Sequence, residues 1–143
     1  MPLHPALVHF PIALLSVSGV LYLLNAVRDS SFYAKTAYLM HQLGIFGLII
    51  AIFSGLQAEP SEALPESVDA VLSLHEIMGY TAIWLYLMLL GWHFLRKGKQ
   101  RTPEKMAFAI AFILVTVVML YGASMGGELV YEHGVGVEVS PSS

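Results

Sequence analysis

The sequence predicts an all-α integral membrane protein, an up-down bundle of four helices, on three observations. First, 57% of the residues are hydrophobic and only 12% are charged. Mean hydropathy is +0.70 with no long polar block, which sets the chain apart from soluble domains. Second, the apolar residues gather into four runs, each near the ~20 residues that cross ~30 Å of hydrocarbon at ~1.5 Å per residue. Third, lysine and arginine are confined to two of the connections between those runs. Backbone polar groups in lipid must be satisfied within the segment, so each run is read as a helix.

The first run extends from about Pro5 to Val27. Pro5 suits a first helical turn, where no donor is needed, and Pro11 removes one further backbone bond and predicts a kink. The run lacks a positive leader and a small-residue cleavage site, so it reads as a retained helix rather than a signal peptide. The second run, about Tyr38 to Leu56, carries Gly47, Ala51 and Gly55 at four-residue spacing, which lets a neighbouring backbone approach closely. The third extends from about Val71 to Leu95 and the fourth from Met106 to Met125, where Gly126 and Gly127 predict its end. In the tail, 126–143, apolar and polar residues alternate. Val130, Val135, Val137 and Val139 would be left in water unless the tail folds over the mouth of the bundle. Short connections make sequence neighbours antiparallel, within one domain over 1–143. Trp92, Tyr38 and Tyr33 read as interfacial anchors.

Charge then orients the chain. Residues 28–37 carry Arg28 and Lys35, and residues 96–105 carry Arg96, Lys97, Lys99, Arg101 and Lys105, which accounts for all seven Lys and Arg. The 57–70 connection instead holds Glu59, Glu62, Glu66 and Asp69, and the tail adds Glu128, Glu132 and Glu138. By the positive-inside rule both basic connections are cytoplasmic, so both termini are expected outside.

Several chemistries are excluded or unsupported. Without cysteine there are no disulfides, thiolate metal sites, iron–sulfur ligation or covalent c-type haem. A net charge of −3 and the lack of a basic stripe argue against nucleic acid as a partner. No serine–histidine–acid set, phosphate loop or helical HExxH motif is present, so the chain reads as a carrier or subunit rather than a free-standing catalyst.

What remains is histidine. The predicted orientation puts His4, His9, His75 and His133 at the outer face and His41 and His93 at the inner one. Imidazole near hydrocarbon is costly unless paired or ligated, which makes such residues candidates for function. His4 and His9 lie about 140° apart around an ideal helix, so one faces the bundle and the other the rim, with His9 the deeper. The first and third helices are expected to be diagonal, so His9 and His75 approach a flat cofactor from opposite sides, as axial ligands of a haem iron. His4 and His133 are then supporting groups or propionate partners. His41 and His93 form a less favoured second site, since their helices are adjacent and two interfacial histidines have ordinary explanations. His75 and His93 share a helix face about 27 Å apart.

The opening His4-Pro5…His9-Phe10-Pro11, His75 at the head of the third helix, and the closing Gly126-Gly127-Glu128-Leu129-Val130-Tyr131…His133-Gly134-Val135-Gly136-Val137 resemble one bacterial family. It is the family of predicted four-helix membrane proteins called domain of unknown function 2231, and the resemblance covers essentially the whole chain. It implies a multi-pass protein of the bacterial inner membrane, with His4, His9, His75, Gly126, Gly127 and His133 as recurrent positions. The family name carries no activity. A likeness of architecture alone links such bundles to b-type cytochromes. Three readings stay open. The leading one is an electron carrier with haem b near the outer face. A second is a bare Cu, Fe or Zn site using the same histidines with Glu76, Glu132 or Met78. The third is a structural subunit of a larger complex. Expected partners are the lipid bilayer, other respiratory or redox membrane proteins, or further copies of the chain.

Overall fold

The computed structural model describes residues 3–58, 63–96 and 100–135. They form α1 (Leu3–Leu7), α2 (His9–Arg28), α3 (Ser31–Gln57), α4 (Glu66–Arg96) and α5 (Thr102–Tyr131), with no strand among the described residues. Four stretches are long and apolar enough to span a membrane: His4–Arg28, Ser31–Gln57, Glu66–Arg96 and Thr102–Tyr131. The break at Val8 between α1 and α2 has a local cause. Pro11 cannot donate to the carbonyl of Leu7, and its ring crowds that carbonyl.

The helices pack in a square: α2 against α3 and α5, α4 against α5 and, more thinly, α3. The first and third spans therefore face each other across the diagonal. Apolar side chains point outward as well as inward. Trp84, Phe53 and Leu114 are 66%, 64% and 62% exposed, a distribution that suits lipid and would be untenable in water. At the centre, Leu15, Tyr86, Phe108 and Phe112 are buried together with the polar Ser18 and His41. The α2–α3 contact depends on glycine. A Cβ on Gly44 would lie 2.5 Å from Leu15 Cγ, and one on Gly47 would lie 3.1 Å from Pro11. The small-residue stripe of α3 thus receives α1 and α2.

The helices outrun their hydrophobic runs, which corrects two expectations. The 28–37 connection shrinks to Asp29 and Ser30, because α3 begins at Ser31. Asp29 takes a left-handed conformation (φ 48°) and donates its N–H to Asn25 O at 2.9 Å. Polar side chains on the first turns of α3 hid a helix that extends beyond the hydrocarbon, where they meet water. Nor do Gly126 and Gly127 end the fourth span: α5 continues to Tyr131. The reversal comes at Gly134 (φ 64°), after which Val135 N–H reaches Leu129 O at 2.8 Å. Residues 136–143, including Val137, Glu138 and Val139, lie outside the described residues, as do Glu59, Glu62, Lys97 and Lys99.

The two ends of the bundle differ in charge. At the basic end Arg96 makes two bonds to Glu104, Nε–Oε1 at 2.7 Å and Nη2–Oε2 at 2.8 Å, and Lys105 pairs with Asp29. These pairs tie α4 to α5 and α5 to the α2–α3 turn. The opposite, acidic end carries Glu66, Asp69, Glu76, Glu128 and Glu132, with Glu66 and Asp69 in the first turn of α4, where they complement the helix dipole. Reporter fusions at both termini are expected to read as extracytoplasmic. Neutralising the five Lys and Arg of residues 96–105 should produce a mixed topology. A cytoplasmic reading at either terminus of the native chain would reverse the bundle.

Candidate ligand cavity at the acidic end

A cavity of about 370 Å³ opens at the acidic end, lined by residues of all five helices. Its walls are mostly apolar, and the polar groups reaching it include the imidazoles of His4, His9 and His75 and the carboxylate of Glu76.

Each histidine is oriented by a local contact that also fixes its proton. The His75 Nδ1–H donates to Gly122 O at 2.8 Å, since a carbonyl only accepts. The His9 Nδ1–H donates to Pro5 O at 2.6 Å, one helical turn back. Ser54 Oγ donates its own proton to Ala51 O at 2.8 Å, so the His4 Nδ1–H must be the donor in its 2.8 Å bond to Ser54. All three neutral imidazoles therefore present an unprotonated Nε2. A fixed Nδ1–H with a bare Nε2 is the arrangement typical of histidines that bind metals.

Glycines seat two of the rings. A Cβ at Gly126 would lie 2.8 Å from His75 Cε1, and one at Gly55 would lie 3.1 Å from His4 Cε1. At Gly79 and Gly127, which also line the cavity, a Cβ would meet nothing within 4 Å. The two glycines of the pair thus have separate tasks. Gly126→Ala should push the His75 ring off Gly122 and weaken any ligand bound through it, whereas Gly127→Ala should be tolerated; ligand titration of both variants checks this.

The histidines sit differently from their sequence-predicted roles. His4 and His75 are brought together, their ring centroids 6.4 Å apart and their planes at 81°. Both are half-buried, and His9 is exposed at the rim. α1 lies against α3, with His4 beside Ser54 and Gly55. His133 is not among the residues lining the cavity. It lies near Glu128 (Nε2–Oε1 3.8 Å), and these two with Glu132 are the one set of three potential metal-ligating residues that converges among the described residues.

The inner histidines are not a pair of interfacial caps. His41 is fully buried, because the early start of α3 places it well inside the helix. Its Nε2–H donates to Tyr86 O at 3.1 Å, and its Nδ1 accepts from Tyr22 Oη at 3.4 Å. Both nitrogens are engaged. His93 stacks on Tyr38, centroids 4.7 Å apart and planes at 21°. Sequence reasoning passed over Ser54 and Gly122 and took Gly55 only as a helix-packing position; their links to the histidines span about fifty residues of chain.

The model of the family described as "Predicted membrane protein (DUF2231)" matches residues 1–139. The chain belongs to that family. No curated protein and no solved structure matches this DUF2231 chain. Its four apolar spans accord with the family's description and put the protein in contact with a lipid bilayer as a multi-pass membrane protein.

Proposed function

We propose that the acidic-end cavity binds a metal-centred redox group through His4 and His75. Haem b is the favoured ligand and electron transfer at the outer face of a bacterial inner membrane the favoured role. The observation that carries this reading is the pair of imidazoles 6.4 Å apart, each with its Nδ1–H committed elsewhere. Two imidazoles on opposite sides of one ion, each about 2 Å from it through nitrogen, have centroids about 6 Å apart.

Further features support it. No third histidine or carboxylate ligand converges with these two among the described residues. A porphyrin supplies four nitrogens of its own and needs only two from the protein, whereas structural zinc takes four protein ligands. Apolar walls and open space beside Gly79 and Gly127 suit a flat hydrophobic macrocycle. His9 at the rim would face the propionates. Bound there, the haem would supply reversible one-electron chemistry. The chain's part is to hold both ligands in one tautomer and to keep water from the ring.

A second reading is favoured by a specific observation. Glu76 and Met78 line the same cavity, and the described Lys and Arg residues lie toward the opposite end. That field suits a bare cation such as copper, iron or zinc. Absorption spectra of the purified protein, oxidised and then reduced, separate the two together with elemental analysis. Soret and α bands at one haem per chain are expected. A stoichiometric metal without those bands would establish the second reading, and neither signal would overturn both.

A further inference from the structure

Beyond Lys35, the outward positions of α3 include Leu39, Gln42, Phe46, Ile49, Phe53 and Leu56, all exposed. Their alternating three- and four-residue steps draw one stripe down the helix, the spacing of a left-handed two-helix seam. All are large and apolar except Gln42, which brings an amide. His41, one residue earlier, is 0% exposed and bonded to Tyr86 O inside the bundle. The step of ~100° per residue then turns Gln42 outward. Gln42 lies about 10 Å along the helix from Lys35 and about 22 Å from Gln57, well inside the span Ser31–Gln57. Among the described residues nothing bonds its carboxamide. An amide facing hydrocarbon is costly until it finds a partner. Exposed apolar side chains also run along α2, α4 and α5, where lipid suffices to cover them. Thr81 of α4 is exposed as well, but its short hydroxyl can bond a carbonyl of its own helix one turn back.

We propose that this stripe is a homodimer interface, in which two copies pack α3 against α3 and their Gln42 carboxamides bond each other across a twofold axis along the membrane normal. The chemistry of the amide selects the occupant. Each Gln42 donates an N–H to the other's carbonyl oxygen and accepts one in return, so the group is its own complement. Copies inserted with one topology hold Gln42 at one depth, and a twofold axis along the normal brings the two residues face to face. Leu39 and Phe46, one step to either side, meet their counterparts and shield the pair from lipid. The glycines of α3 play no part in this contact, because Gly44 and Gly47 already receive Leu15 and Pro11 from α2. Large side chains instead interlock as knobs into holes, and the amide pair fixes the register, since an axial slip leaves it unbonded. Leu56, at the far end of the stripe, also lines the cavity, so the two cavities of the dimer flank the axis at the acidic end. The interface is independent of what the cavity binds.

The chain has no cysteine, so single cysteines report the contact directly. Full-length Phe46→Cys, on the stripe, is reconstituted into liposomes over a range of protein-to-lipid ratios and mildly oxidised. A disulfide-linked dimer is expected. Leu114→Cys, exposed on α5, should give at least about tenfold less, because its sulfurs are not brought within bonding distance. Adding Gln42→Leu to Phe46→Cys should raise the apparent dissociation constant about tenfold, the loss expected when interhelical polar bonds in a membrane are removed. Leucine keeps much of the side chain's bulk, so this loss reads the amide rather than the packing. Helical circular dichroism establishes that each variant is folded, and if the Gln42→Leu chain fails that check the two cysteine variants decide alone. Absence of the Phe46→Cys dimer at every ratio leaves the stripe to lipid or to a different protein and overturns the proposal. A dimer undiminished in folded Gln42→Leu, or one linked through Leu114→Cys as readily as through Phe46→Cys, overturns it equally.

Discussion

Replacing His75 with alanine, or His4 with alanine, should lower bound cofactor at least roughly tenfold, a loss expected when a ligand or its immediate support is removed. His75 is held by Gly122 O and lies against Gly126; His4 is held by Ser54 and lies against Gly55. Each substitution removes one of the two imidazoles that meet, and the remaining imidazole of the cavity wall, His9, lies exposed at the rim. The same geometry extends the expectation to a residue that does not touch the ligand. Ser54→Ala leaves His4 in place but frees its Nδ1–H, so the ring can rotate and lose its tautomer. Affinity should drop about tenfold to a hundredfold, as for other groups that orient a metal-binding histidine. His133→Ala, outside the lining, and His41→Ala, whose nitrogens are both engaged, should keep full occupancy in whatever fraction folds. His9→Ala should weaken binding less than His4→Ala. Reduced-minus-oxidised spectra and metal content, normalised to protein, check all of these. Full occupancy in both His4→Ala and His75→Ala would end the assignment.

Gly44→Ala should be among the most destabilising single-methyl changes in the molecule. The added Cβ would lie 2.5 Å from Leu15 Cγ and 2.6 Å from Leu15 Cδ2, and Leu15 is 0% exposed within the core. The α2–α3 contact must open or Leu15 must leave its rotamer, at a cost of about 1–3 kcal/mol. Gly91→Ala is the matched control. Gly91 is exposed, a Cβ there meets nothing within 4 Å, and alanine is the better helix former by about 1 kcal/mol. Thermal unfolding in detergent should therefore show a lower midpoint for Gly44→Ala and an equal or higher one for Gly91→Ala. Adding Leu15→Ala to Gly44→Ala should recover part of the loss, because the two residues share one contact and their effects are not additive. A midpoint unchanged by Gly44→Ala would mean that α2 and α3 are not packed as described.

Much of the architecture was legible in the chain because lipid imposes a simple rule. A segment must be long, apolar and internally hydrogen-bonded, so composition alone marked four spans and their order. The ends of those spans were not legible. Ser31 to Ala37 looked like a loop because it is polar, and Gly126-Gly127 looked like a stop because glycine favours ends. In the fold the first is a helix emerging from hydrocarbon, and the second is a place where His75 occupies the room of a side chain. His4 and His9 posed the same difficulty. Spacing said that they face different ways, but which one turns inward depends on the small residues of α3, where Gly55 leaves room for the His4 ring.

The sequence by itself determined the four-helix membrane architecture, the segregation of basic and acidic connections, and the membership of His4, His9 and His75 in one end of the bundle. Those follow from hydropathy, charge and helical rise, which are additive along the chain. Only the tertiary structure decided that His4 rather than His9 meets His75, that Ser54 and Gly122 fix their tautomers, that His133 lines no part of the cavity, and that His41 pairs with Tyr22 in the core. These are contacts between helices, set by which small residues let two backbones approach, and no pattern within one helix encodes its partner's surface.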